Sequence, residues 1–132
     1  MEQYVVDTHT LLWYVAADDR IGAQARTIIE RAEAGEVNII VPAIVLIEAI
    51  EVIRKGKVFY NVDELLQEIN QRTNFIVKNL DFDIITLYKN YLPSLKLESH
   101  DKIIVITAQY FENIPIITKD EHIRQVYSPT IW

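Results

Sequence analysis

The feature that most constrains this chain is an alternation. Short, unbroken apolar runs are separated by longer stretches with helical periodicity. Tyr4-Val5-Val6, Val37 to Val41, Phe75-Ile76-Val77 (the weakest) and Ile114 to Ile117 are the runs, and Thr130-Ile131-Trp132 offers a last one. A strand that is apolar at every position, rather than at every second one, needs cover on both faces. Between the runs, Thr8 to about Ala16 reads as a helix. Ile21, Ala25, Ile28, Ile29 and Ala32 recur at helical spacing as far as Gly35, a stop signal. Pro42 stands where a helix can begin, and Ala43 to Lys55 continues it up to Gly56. Val62 to Gln71 is amphipathic. Asp81 is placed to cap a helix carrying Ile84, Ile85, Tyr88 and Leu92, and Ser99 to cap one from Asp101 to Phe111. Thr118 opens a short final helix. Strands alternating with helices predict an α/β fold with a parallel sheet covered on both faces. In such sheets the functional crevice lies beyond the carboxyl ends of the strands.

Only 3 glycines and 4 prolines punctuate 132 residues, and no linker, repeat or low-complexity tract interrupts them, so residues 1–132 read as one domain. A chain of this size can bury roughly two-thirds of its unfolded surface. No apolar run reaches the ~18 residues of a membrane span. Met1-Glu2-Gln3-Tyr4 lacks the layout of a signal peptide, so a cytoplasmic protein is expected. The absence of cysteine removes disulfides, zinc-thiolate sites and thiol chemistry, in keeping with a reducing compartment. The net charge of −6 argues against a general nucleic-acid binder, which usually presents a basic surface. It is compatible with an enzyme whose acidic site holds divalent metal, because the ion inverts the local field.

Four acids fall where that crevice should be. Asp7 directly follows the first strand. A helix N-terminus alone explains a carboxylate there. Glu48 interrupts the apolar helix Ile44-Val45-Leu46-Ile47-Glu48-Ala49-Ile50. Positions 44, 48, 51 and 55 share a helical face, so Glu51 pairing with Lys55 would mark an ordinary solvated stripe. Asp101 lies in Ser99-His100-Asp101-Lys102 at a helix start, again a place for dipole compensation. Asp120 lies in Thr118-Lys119-Asp120-Glu121, where Thr118 and Glu121 match a capping box that leaves Asp120 unneeded. Each acid has a structural explanation alone. Together, Asp7 and Asp120 follow two strands, while Glu48 and Asp101 sit on helices entering from the same sheet edge. Four carboxylates in one crevice would repel one another unless cations were present. Oxygen-only ligation suits Mg²⁺ or Mn²⁺, and such ions activate water and stabilise phosphoryl transfer. His9, His100 and His122 have no zinc-motif spacing. His9 is placed to touch the site or to cap, and His100 to orient Asp101.

These segments are recognisable together. Val6-Asp7-Thr8-His9-Thr10-Leu11-Leu12-Trp13 resembles the opening motif of PIN-domain proteins of the VapC type. Pro42-Ala43-Ile44-Val45-Leu46-Ile47-Glu48 resembles their second motif. His100-Asp101-Lys102-Ile103-Ile104-Val105-Ile106-Thr107-Ala108 resembles the third, and Ile117-Thr118-Lys119-Asp120-Glu121-His122-Ile123-Arg124 the fourth. The resemblance spans almost the whole chain, in order. It implies a three-layer α/β/α fold with a central, mainly parallel five-stranded sheet. It also implies Mg²⁺ or Mn²⁺ held by Asp7, Glu48, Asp101 and Asp120, and hydrolysis of RNA leaving a 5′-phosphate. His122 stands where an acidic residue is common and Lys102 where arginine is common. Gly56 to Leu97 matches no motif and is the region expected to set substrate and partner choice.

Many VapC-type proteins are ribonuclease toxins neutralised by a cognate antitoxin, so the resemblance implies an antitoxin partner, and also a homodimer through the helices after Asp81. Leu12, Trp13 and Tyr14 are candidates for the wall of an antitoxin groove, with Trp13 equally readable as core. The alternatives are a stand-alone PIN-type RNA-processing nuclease, a PIN-like scaffold that binds without cutting, and a receiver-like acidic Mg²⁺-binding signalling domain. The complete quartet argues against a scaffold. A receiver would place paired acids after the first strand, where this chain has Asp7 alone, and a phosphoacceptor after a central strand, where Val41 is followed by Pro42.

Overall fold

A computed structural model describes residues 1–91 and 96–132. Among them the chain runs β1 (Gln3–Val6), α1 (Thr8–Val15), α2 (Ala23–Glu33), β2 (Asn38–Pro42), α3 (Ala43–Arg54), α4 (Val62–Gln71), β3 (Phe75–Lys78), α5 (Phe82–Lys89), α6 (Ser99–Tyr110), β4 (Ile116–Ile117), α7 (Glu121–Val126) and β5 (Thr130–Ile131). Leu92, expected on the helix after Asp81, lies outside the described residues. The five strands form one sheet in the order β3-β2-β1-β4-β5, and every pairing is parallel. Val5 and Val6 are adjacent in β1 and point to opposite faces. Both are wholly buried, as are Ile39, Ile40 and Val41 in β2, so helices cover the sheet on both sides. This is the three-layer α/β/α arrangement that the unbroken apolar runs predict.

Strand order positions the crevice. From β1 the chain steps first to β2 on one side (Val5 opposite Ile40) and much later returns to β4 on the other (Val5 opposite Ile116). The order therefore reverses at β1. A parallel sheet opens a crevice beyond the carboxyl ends of its strands at such a point. Asp7 and Thr118, the first residues after β1 and β4, flank that opening.

Element boundaries depart from expectation where tertiary contacts intervene. The helix expected from Ile21 begins at Ala23, after Gly22. A Cβ on Gly22 would meet the Trp132 backbone carbonyl carbon at 2.7 Å, so only glycine admits this approach. The last long helix begins at Ser99 itself; Glu98 is its cap position and makes no side-chain cap bond. The strand expected over Ile114 to Ile117 is reduced to Ile116–Ile117, the pair that meets both β1 and β5. The final helix is capped by Asp120, whose side chain accepts from the His122 and Ile123 amides, and not by Thr118. Glu51 pairs with Arg54 at 3.8 Å, one residue before the expected Lys55.

Candidate active site

Asp7 enters the site because β1 ends at Val6 and α1 starts at Thr8. Its Oδ1 accepts from the Thr10 amide at 3.0 Å, the N-cap bond of α1. Its Oδ2 accepts from the Thr118 hydroxyl, reaching across from the end of β4. The residue is buried, at 8% exposure. Burial pushes its carboxyl above the usual range, against the pull of the hydrogen bonds from Thr10 and Thr118.

Glu48 stands in the middle of α3, a helix that buries Val45 and Ala49. Its Oε1 accepts from the Thr8 hydroxyl at 2.7 Å, and its Oε2 lies 2.9 Å from His100 Nε2 on α6. Burial raises its pKa, the Thr8 bond and His100 lower it, and Asp7 adds to the rise. Asp101, in the first turn of α6, is pushed up to about 6 by burial; His100 opposes the shift, while Asp120, Glu48 and Asp7 add to it. Asp120 is held by its own helix: Oδ1 accepts from the His122 amide at 2.8 Å and the Ile123 amide at 3.1 Å. Its backbone N–H donates to Thr118 Oγ1 at 2.9 Å, so one threonine touches two of the four acids.

The four acids line a single cavity of about 380 Å³ at the switch point of the sheet. His9, His100, His122 and Lys96 share its wall and bring nitrogen donors to an otherwise acidic space. Among the described residues, no three carboxylate or imidazole groups are already closed into a metal cage. The donor chemistry nevertheless fits a hard divalent ion. Four carboxylates face one space, three of them have raised pKa values, and mutual repulsion contributes to the rise at Glu48 and Asp101. Such a set gains from a cation.

His9 reaches the cavity wall, as its place two residues after Asp7 allows, while His100 finds a partner outside its own helix. His100 is closest to Glu48, at 2.9 Å, and stands 3.4 Å from Glu98 and 3.5 Å from Asp101, which it was expected to orient. His9 is exposed, with its ring 5.5 Å from that of Trp13. His122 is exposed and 3.6 Å from Asp120 Oδ1. Sequence reasoning does not single out Thr8 or Lys96, and it treats Thr118 only as a cap. A threonine directly after a strand-end aspartate, buried at 5% exposure, is the signal that a hydroxyl is committed to a polar partner.

Of the three residues proposed for a groove wall, Leu12 is wholly buried in the core and offers no wall. Trp13 is 9% exposed and packs 5.8 Å from Trp132. Trp13 and Tyr14 do line a second cleft, with Arg26, Glu30, Glu33 and Arg72, and the Tyr14 hydroxyl donates to Glu33 at 2.6 Å.

No curated protein matches this sequence. Among solved structures, the chain is similar to the crystal structure of VapBC2 from Rickettsia felis bound to a DNA fragment from their promoter. The TM-score is 0.67 at 14% identity, covering 97% of this chain and 98% of that one, a likeness of fold. PIN domains are in general hydrolytic nucleases and typically use divalent metals. Residues 4–129 match the PIN domain, and on that match over nearly its whole length the chain belongs to the PIN domain family.

Proposed function

We propose that this chain is a single PIN nuclease domain that hydrolyses RNA phosphodiester bonds with Mg²⁺ or Mn²⁺, and that it is the toxin of a toxin–antitoxin pair acting in the cytoplasm. The observation that carries the reading is the meeting of Asp7, Glu48, Asp101 and Asp120 on one cavity at the sheet's switch point. These four would hold the ion, directly or through water. The bound ion would supply activation of the attacking water and neutralise charge on the phosphoryl oxygens. The protein's part is preorganisation. Thr10 and Thr118 fix Asp7, Thr8 fixes one oxygen of Glu48, and the first amides of α7 fix Asp120. Lys96 and His9, on the same wall, are placed to meet the substrate's phosphates in a protein whose net charge would otherwise repel RNA.

The test is cleavage of defined RNAs by the purified protein with Mg²⁺, with Mn²⁺ and in EDTA. Metal-dependent cuts leaving 5′-phosphate ends are expected. Equal cleavage in EDTA would remove the metal mechanism.

The toxin reading draws support from the fold shared with a VapBC complex. An arginine from an antitoxin entering the acidic cavity could pair with two carboxylates in bidentate geometry, with apolar anchoring elsewhere because buried ion pairs gain little net energy. Co-expression with the adjacent reading frame should give a stable, inactive complex. If no neighbouring product binds, a stand-alone RNA-processing nuclease becomes the better reading. A homodimer is also proposed, supported by Phe82 (80% exposed) and Ile85 (52%) on α5. Among the described residues no helix is long and apolar enough to cross a membrane.

A further inference from the structure

We propose that His100 is a positioning residue: it holds the Glu48 carboxylate at one oxygen while Thr8 holds the other, so that Glu48 is fixed from two helices before an ion arrives. The inference rests on the metal-dependent reading of the same cavity.

The geometry is specific to Glu48. Thr8 Oγ1 donates to Oε1 at 2.7 Å from α1, and His100 Nε2 lies 2.9 Å from Oε2 on α6. The other two acids within reach of that nitrogen are poorer partners. Glu98, at 3.4 Å, is 78% exposed, so water screens the contact. Asp101, at 3.5 Å, is beyond good hydrogen-bond distance. Neither contact bridges two elements, because Glu98 and Asp101 flank His100 in the chain, whereas Glu48 belongs to α3.

A glutamate has three side-chain torsions, and leaving them free would spread its carboxylate over several positions. Holding them costs conformational entropy. Contacts from two helices meet that cost in advance, and each carboxylate oxygen retains a lone pair for an ion. Core packing alone does not account for the residue. His100 keeps 33% side-chain exposure, lines the cavity and turns one nitrogen, Nε2, toward three carboxylates within 3.5 Å. Outer partners of ligating carboxylates typically contribute about 10- to 100-fold in metal affinity.

The experiment measures Mn²⁺ binding to the purified protein by calorimetry, beside the metal-free melting temperature, for wild type, His100→Phe and His100→Gln. Phenylalanine keeps the ring and removes the nitrogen; glutamine restores a polar nitrogen at similar reach. The expected result is Mn²⁺ affinity about 10- to 100-fold weaker in His100→Phe, substantial recovery in His100→Gln, and melting temperatures close to wild type in both. The KM for RNA at saturating Mn²⁺ should change little. Wild-type affinity in His100→Phe, or equal weakness in the two variants, overturns the assignment while leaving the metal-dependent reading intact. A wild-type protein that binds neither Mn²⁺ nor Mg²⁺ overturns both.

Discussion

The Thr118 hydroxyl donates to the buried carboxylate of Asp7 across 111 residues of chain, tying the end of β4 to the end of β1. The same oxygen accepts the Asp120 amide. Thr118→Val keeps the shape and removes both interactions. It should destabilise the fold by about 1–3 kcal/mol, the cost of leaving buried polar groups unpaired. Cleavage should fall with it. Thr118→Ser should restore most of both, as read by denaturant titration and by RNA cleavage. A valine variant with wild-type stability would show that water replaces the hydroxyl.

The raised carboxyl pKa values set a pH dependence of the metal-free protein. A folded pKa above the unfolded one means that the folded state binds more protons between the two. For Asp101 the interval runs from 3.8 to about 6. Its stabilising contribution is therefore complete below pH 3.8 and lost as the pH rises through about 6. With Asp101 still 18% exposed, solvent screening trims this to about 1–2 kcal/mol. Unfolding free energies of wild type and Asp101→Asn, measured from pH 4 to pH 7.5 in EDTA, should diverge in that direction. Saturating Mg²⁺ should reverse the slope, because the ion selects the ionised carboxylates.

Asp101→Asn should also separate chemistry from folding. Removing one of several mutually repelling carboxylates should leave a folded protein, slightly more stable without metal near neutral pH, and abolish cleavage. Mg²⁺ at ~100-fold above its dissociation constant should add about 2.7 kcal/mol to the wild type and much less to the variant. Thermal melts with and without Mg²⁺ decide the matter. An unfolded variant, or a wild type indifferent to Mg²⁺, contradicts the assignment.

Glu48 and Glu51 are one turn apart on α3 and should behave differently. Glu51 is exposed and, among the described residues, its ion pair is with Arg54 at 3.8 Å, a surface pair contributing about 0.3–0.5 kcal/mol. Glu51→Gln should be nearly silent. Glu48→Gln, which alters the carboxylate that faces the cavity, should remove most activity. Matching losses would place Glu51 in the site as well.

The apolar surface of α5 predicts self-association. Phe82 is 80% exposed and Ile85, one turn on, is 52% exposed, apolar area that a second copy would bury. Phe82→Glu should convert a dimer to a monomer in sedimentation equilibrium without lowering the monomer's melting temperature. A wild type that is monomeric at every concentration excludes this face as a dimer contact.

Much of the fold was legible because parallel strands buried on both faces leave an unambiguous trace: Val5 and Val6, or Ile39 to Val41, admit no polar position. The acids were legible through their places after strands and within an apolar helix. What local pattern could not reveal is non-local. Thr118 and Glu121 satisfy a capping box in sequence, yet the Thr118 hydroxyl is committed to Asp7, and Asp120 caps α7 instead. The chain places His100 beside Asp101, yet its nearest partner, Glu48, comes from another helix. Gly22 carries no local signal, because its constraint comes from Trp132 at the far end of the chain.

The sheet order also schedules the enzyme's birth. Synthesis delivers β1, β2 and β3 first, and these neighbours can pair while the rest of the chain is still unmade. The partner that holds Asp7 and the fourth acid do not exist until Thr118 and Asp120 have been added. A nascent chain therefore carries an unfinished acidic cavity. On the proposed activity, a central strand made early whose aspartate waits for a partner from a late one cannot support RNA cleavage until β4 has joined β1.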